Sequence, residues 1–241
     1  MFHADTVIVR DTLYIGSFDG FLYCINSLNG KLLWKFKTIG DRFFPKGEIQ
    51  KAVLIKGDDL YFGSRDYNLY ALNRITGTGL WNRKEAGSWI IATPFEKNGK
   101  LYYGTSDSHS FYAVNSFNGE VHWKKPLNMR VYGTAASFDT LIFSGCFNGF
   151  LYGFDEQTGK IAWNFQTMGS KEKYDSVYDT TGQFRKDFVM YSKDEKISLQ
   201  AEQKILALGS IISSPVISDG VIYFASTDGN LYSVRISAIG K

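Results

Sequence analysis

An eleven-residue pattern recurs four times in this chain, and its regular return constrains the fold more than any single residue does. The copies run from Cys24 to Trp34 (CINSLNGKLLW), Ala71 to Trp81 (ALNRITGTGLW), Ala113 to Trp123 (AVNSFNGEVHW) and Gly153 to Trp163 (GFDEQTGKIAW). Each begins on a small residue, carries Asn or Asp third and Gly seventh, and closes on Trp. A second string precedes each copy: LYIGSFDGFLY, LYFGSRDYNLY, LYYGTSDSHSFY and LIFSGCFNGFLY. A fifth, IYFASTDGNLY, starts at Ile222. The tryptophans stand at positions 34, 81, 123 and 163, so the steps are 47, 42 and 40 residues. A fixed period of this kind means a series of like supersecondary units, none of which can bury its apolar face alone.

Within a unit the local pattern is β. Leu101, Tyr102 and Tyr103 give way to polar residues from Ser106 to Ser110, followed by Phe111, Tyr112, Ala113 and Val114. Short β-branched and aromatic runs separated by Gly, Asn, Asp and Ser read as strands and hairpins. Gly30, Gly77, Gly119 and Gly159 supply the positive φ that a tight turn demands, and the Asn or Asp four places earlier can bond its side chain to turn backbone. A small residue at the head of the pattern leaves room for an indole. Trp34, Trp81, Trp123 and Trp163 are therefore expected to dock on neighbouring units, burying apolar surface and bonding their N–H. About forty residues is the length of one four-stranded propeller blade. The expectation is an all-β propeller of four-stranded antiparallel blades, with five recognisable units.

These motifs resemble the pyrroloquinoline-quinone (PQQ)-like β-propeller repeat and its tryptophan-docking pattern. That family takes in quinoprotein alcohol dehydrogenases and BamB-like envelope assembly factors. The resemblance covers nearly the whole chain, so residues 1–241 are expected to form one propeller domain. It implies two kinds of function, because one fold hosts several. In the enzymes, PQQ lies on the propeller axis with Ca²⁺ held by acidic and amide side chains and a carboxylate as base. In the assembly factors, the propeller binds other proteins and is extracytoplasmic.

The units run from about Asp5 to Thr38, Lys51 to Lys84, Ile90 to Lys125 and Thr134 to Thr167, with a fifth starting at Ile211. A longer connection, Ile39 to Ile49, accounts for the first step of 47 residues between Trp34 and Trp81. From about 168 to 208 the repeat breaks into a charged segment ending KISLQAEQKILAL, where Ile197, Ala201, Ile205 and Leu208 share a helix face. We read it as an insertion with a short amphipathic helix. The competing reading is a degenerate further blade with Phe188 to Ser192 as one strand. In the fifth unit Ser233 holds the small slot, but Arg235 replaces the Asn or Asp.

Composition narrows the functions. The 27 basic residues against 24 acidic ones include no basic run, which argues against nucleic acid. No apolar run approaches the roughly 18 residues of a membrane span, and the first residues lack the pattern of a signal peptide. Cys24 fills a small slot and Cys146 lies in a turn of another unit, so a disulfide between them is not expected. His3, His109 and His122 have no metal-ligand spacing. Asp19, Asp66, Asp107, Asn148 and Asp228 occupy matching turn positions, which favours a structural role over a catalytic one. The resemblance to quinoproteins lacks an adjacent cysteine pair. We therefore expect no catalytic residues, no metal and no cofactor of its own. The leading reading is a binding or scaffold propeller of the bacterial cell envelope, for a protein partner or small polar ligand. The alternatives are a PQQ-dependent dehydrogenase, or a propeller module of a larger enzyme. Residues that break the repeat should mark the binding face. They are Arg42 and Lys46, Trp89 (the one Trp outside the docking position), and Arg130 and Tyr132. An aromatic beside cations suits a polar or anionic ligand; otherwise Trp89 fills the centre of the ring.

Overall fold

The computed structural model describes Phe2 and residues 4–236. Five antiparallel sheets follow one another along the chain, each a simple meander whose strands pair in sequence order. The first contains β1 (Val7–Val9), β2 (Thr12–Gly16), β3 (Phe21–Asn26) and β4 (Leu32–Lys37), and the second β5 (Leu54–Lys56), β6 (Asp59–Gly63), β7 (Asn68–Asn73) and β8 (Gly79–Lys84). The third holds β9 (Phe95–Lys97), β10 (Lys100–Gly104), β11 (Ser110–Asn115) and β12 (Val121–Pro126). The fourth holds β13 (Ala136–Phe138), β14 (Leu141–Gly145), β15 (Phe150–Asp155) and β16 (Ile161–Gln166). Three strands make the fifth: β17 (Val216–Ser218), β18 (Val221–Ala225) and β19 (Leu231–Arg235). These are the blades of a β-propeller fold. Contacts divide the chain into two compact units, one up to Lys124 and one from Lys125, described separately below.

The hairpin that carries each docking motif forms as its residues dictate. In the first blade the Asn26 side chain accepts from the amides of Leu28 (3.0 Å) and Asn29 (3.1 Å), and its carbonyl accepts from Gly30 N–H. Asn73, Asn115 and Asp155 repeat the arrangement. The small residue then lies directly across from the tryptophan: Cys24 opposite Trp34, Ala71 opposite Trp81 and Gly153 opposite Trp163. The register shifts immediately after this pair in each of these three ladders.

In the unit up to Lys124, Trp34 and Trp81 each find the next blade. Trp34 Nε1 donates to the Arg74 carbonyl (3.1 Å), and Tyr14 OH donates to the same oxygen (3.3 Å). One blade further on, Trp81 Nε1 and Tyr61 OH share the Ser116 carbonyl at 3.1 and 3.2 Å. The glycine of the receiving turn is the bed of the ring. A Cβ on Gly77 would lie 2.6 Å from Trp34 Cδ2, and one on Gly119 would lie 2.9 Å from Trp81 Cε3. Gly77 and Gly119 thus serve twice, for their positive φ and for their missing side chain. The cores lie between successive sheets. Tyr14, Leu22 and Cys24 pack with Leu60, Phe62 and Tyr70, and Tyr61, Leu69 and Ala71 pack with Leu101, Tyr103 and Tyr112.

In the unit from Lys125, Leu141, Phe143 and Leu151 pack with Ile222 and Phe224, and Trp163 and Phe165 lie against this cluster. The segment between β16 and β17 contains α1 (Met168–Lys173), one turn of 3₁₀ helix at Tyr174–Ser176, and α2 (Glu195–Ala207). Among its described residues there is no strand, only an isolated bridge from Tyr178 to Phe184. The further blade with Phe188 to Ser192 as a strand is not formed. Thr167 caps α1 and its hydroxyl also donates to the Leu208 carbonyl (2.7 Å), so one side chain pins both ends of the segment. α2 buries Ala201 and Ile205, and Leu208 just beyond it, while Ile197 stays 41% exposed. Stacked rings of Tyr174, Tyr178, Phe184 and Phe188 run back to Phe150 of the fourth blade.

Candidate functional site

Each linker that enters a new blade is held by main-chain bonds, and these bonds define the seat of the candidate residues. The Glu48 carbonyl accepts from Arg65 N–H (3.0 Å) and the following amide, Ile49 N–H, donates to the Ser17 carbonyl (3.1 Å). One blade on, the Trp89 carbonyl accepts from Ser106 N–H and Ile90 N–H donates to the Ser64 carbonyl, at 3.1 and 3.3 Å. In the second unit the carbonyls of Arg130 and Ser210 accept from Phe147 and Thr227 N–H, at 3.0 and 3.1 Å. The residue after each seat is a fully buried Ile49, Ile90, Val131 or Ile211. Glu48, Trp89, Arg130 and Ser210 are therefore equivalent positions. Their backbones are fixed by the repeat and their side chains are not.

In the first unit, Trp89 belongs to a stack that the sequence reading only partly located. Its ring meets Phe44 edge-on at 5.0 Å, and the Arg65 guanidinium carbon lies 4.2 Å from the Trp89 centroid and 4.7 Å from that of Phe44. Phe44 also meets Tyr67 at 5.7 Å. Arg65 lies 4.0 Å from Glu48, long for an ion pair, and its side chain is 24% exposed. Arg65 Nε, Glu48 Oε2 and Gln50 Oε1 are buried without a hydrogen-bond partner among the described residues. One donor and two acceptors are thus left for an entering water or ligand group to satisfy. Trp89 is half-buried, and its own amide donates to Ser106 Oγ (2.8 Å).

Arg42 and Lys46 lie on the same linker as Phe44 but outside this stack. Arg42 is exposed and sits over the ring of Phe43 at 5.7 Å, and Phe43 is itself 72% exposed. The Lys46 side chain is exposed, while its carbonyl accepts from Lys37 Nζ (2.5 Å) and Thr38 Oγ1 (3.0 Å). Arg65 and Glu48 escaped the sequence reading because their neighbours look like ordinary repeat. The signal was present in the variable place of the Ser-x-Asp turn, filled here by a cation.

In the second unit, Arg130 and Tyr132 converge on Phe147. Tyr132 meets that ring at 4.8 Å and Arg130 lies 5.9 Å above it. Arg130 is also engaged by the helical segment. Its Nη1 donates to both Glu202 oxygens at 3.1 Å, and its Nη2 donates to Tyr191 OH at 2.8 Å. Burial works against its charge, but Tyr191, Tyr132 and Glu202 outweigh that, raising its pKa and holding the guanidinium ionised. Two surface grooves flank α2, of about 280 Å³ beside Ile197 and Lys204 and about 300 Å³ beside Tyr191 and Leu199.

The carboxylates and thiols have structural partners. Asp66 accepts from Tyr70 OH (2.6 Å) and Gly40 N–H (2.9 Å) and closes its own turn. Asp19 and Asp228 do the same with Tyr23 and Tyr232, and Asn148 bonds Tyr152. Burial pushes the Cys24 thiol up to about 11 and the Cys146 thiol to about 12. His109 lies in the turn after β10 and His122 on β12; His3 is outside the described residues. Among the described residues no three His, Cys, Asp or Glu side chains converge as a metal site would require.

Meandering blades with docked tryptophans, and variable side chains seated on the linkers, define a PQQ-like β-propeller. The chain belongs to the family described as outer membrane protein assembly factor BamB, whose model matches residues 2–89 and 76–238. No curated protein sequence is significantly similar to it. Among solved structures it is similar to BamB from Moraxella catarrhalis, with a TM-score of 0.70 and 18% identity over 99% of this chain and 62% of that one. It is also similar to quinohemoprotein alcohol dehydrogenases. The enzyme from Comamonas testosteroni gives a TM-score of 0.66 and 15% identity over 98% of this chain and 41% of that one. ADHIIG from Pseudomonas putida HK5 gives 0.65 and 16% over 98% and 40%. The chain thus spans less than two-thirds of the length of each of these proteins.

Proposed function

We propose that this protein is a non-catalytic scaffold of the bacterial cell envelope, which binds a protein partner through the linker face around Trp89. The observation that carries the reading is the contrast between repeated and variable positions. Repeated Asp and Asn side chains close turns and bond tyrosines, whereas the variable linker seats gather an aromatic–cation stack. Trp, Tyr, Phe and Arg on a fixed backbone are the composition of a protein-binding hot spot. An envelope location rests on membership of the BamB family. Among the described residues no helix is long and apolar enough to cross a membrane.

Two measurements test this. Purified protein with PQQ and Ca²⁺ is assayed for alcohol-dependent dye reduction, and a photo-crosslinking residue is placed at position 43 in the producing cells. The reading expects no turnover and one discrete crosslink to an envelope protein. Turnover above a cofactor-only control overturns it, as does crosslinking confined to cytosolic proteins.

A further inference from the structure

The linker from Ile39 to Ile49 exposes two cations, Arg42 and Lys46, that its own acids do not pair. Its two acids are directed elsewhere: Asp41 is held by Lys84 at 2.7 Å, and Glu48 faces Arg65 at 4.0 Å. The nearby Asp66 carboxylate is buried and already accepts from Gly40 N–H and Tyr70 OH. Neither the Arg42 guanidinium nor the Lys46 ammonium meets a carboxylate among the described residues. Lys37 joins them, its ammonium resting on the Lys46 carbonyl. Beside these cations the linker exposes large apolar groups, Ile39 at 67% and Phe43 at 72%. The next residue, Phe44, continues into the Arg65–Trp89 stack. A lone exposed apolar residue needs no explanation, but a run of them interleaved with free cations and backed by a rigid aromatic stack is a partner's surface.

We infer that this face docks an acidic segment of a protein partner, one in which an aromatic or large aliphatic side chain is flanked by Asp or Glu. The inference rests on the reading of the protein as a binding scaffold and adds the chemistry of what it binds. The apolar anchor would lie against Phe43 and Ile39, and the flanking carboxylates would meet Arg42 and Lys46. Such complementarity sets orientation and encounter rate as much as affinity. A nucleic acid is less well matched: a phosphate track asks for a row of free cations, and the chain's net charge is only +3.

The test uses fluorescence anisotropy of a short fluorescein-labelled peptide with a central Trp flanked on each side by Glu. The comparison probes carry Lys in place of Glu, or are a labelled single-stranded DNA of similar length. The expected result is saturable binding of the Glu–Trp peptide and little of the Lys–Trp peptide. Affinity should fall about tenfold in the double variant Arg42→Glu/Lys46→Glu, whose exposed side chains leave the fold alone. Phe43→Ala should weaken binding independently, and raising salt to about 0.5 M should mimic the charge reversal. Equal binding of the two peptides overturns the inference, as does indifference to Arg42→Glu/Lys46→Glu or tighter binding of the DNA. Its failure is separable from that of the scaffold reading. A position-43 crosslink to an envelope protein together with a silent Glu–Trp peptide removes only this inference. Alcohol-dependent turnover removes the scaffold.

Discussion

Replacing Gly77 and Gly30 separately by alanine should give very different losses of stability, although the two glycines hold the same place in the repeat. Their φ values are +72° and +73°, so a Cβ costs both turns about 1–2 kcal/mol of left-handed strain. Around Gly30 an added Cβ meets nothing within 4 Å, and the cost ends there. At Gly77 it falls 2.6 Å from Trp34 Cδ2 and 2.7 Å from Cε3, inside any tolerable contact. The indole has to lift, which forfeits its N–H bond to the Arg74 carbonyl, worth about 1 kcal/mol, and overpacks the joint by about 1–3 kcal/mol. We expect Gly77→Ala to cost about 3–6 kcal/mol and Gly30→Ala about 1–2. Urea unfolding followed by circular dichroism measures both, and an unchanged m-value confirms that the reference state is the same. In a Trp34→Ala background the excess at Gly77 should vanish, giving a coupling of about 2–4 kcal/mol. Equal losses at the two glycines, within about 0.5 kcal/mol, would refute the assignment of Gly77 as the bed of the ring.

At Asp19 and Asp228 burial opposes the charge, but the Phe21 amide and Tyr23 hydroxyl at the first, and Ser226 and Tyr232 at the second, outweigh it and lower both carboxyls. A carboxyl lowered on folding contributes stability that is complete above its unfolded value of about 4 and is lost as pH falls through the lowered one. Urea midpoints should therefore drop below about pH 4, and less steeply in Asp228→Asn. Cys24 and Cys146 are buried with raised thiol pKa values, so a disulfide reagent at about pH 8 should label neither until urea unfolds the chain. Arg130→Met leaves Glu202 and Tyr191 without their cation and should loosen α2 by about 1–3 kcal/mol, read as faster tryptic cleavage at Lys193 and Lys196.

Most of the fold was legible because the repeat spells out its own mechanics. Asn26 four places before Gly30, and Cys24 ten places before Trp34, are local relations, and local relations survive into the structure unchanged. The helix ending the charged segment was legible for the same reason, since Ala201, Ile205 and Leu208 carry a helical period. The sequence does not say which neighbour a side chain will meet across blades. Trp89 stood out by composition, but its partners Phe44 and Arg65 lie 45 and 24 positions away and are brought to it by linker bonds that leave no mark in the residues themselves. Arg130 likewise reads as a free cation until Glu202, far along the chain, is placed beside it.

The linker seats have an evolutionary consequence. Glu48, Trp89, Arg130 and Ser210 occupy one kind of position with an acid, an aromatic, a cation and a hydroxyl, because the seat is held through its carbonyl, whatever its side chain. A change of side chain at Glu48 or Trp89 alters the chemistry displayed there, while the Trp34–Gly77 and Trp81–Gly119 joints keep those blades together. At these two seats shape and displayed chemistry are carried by different residues, so one can vary while the other is kept.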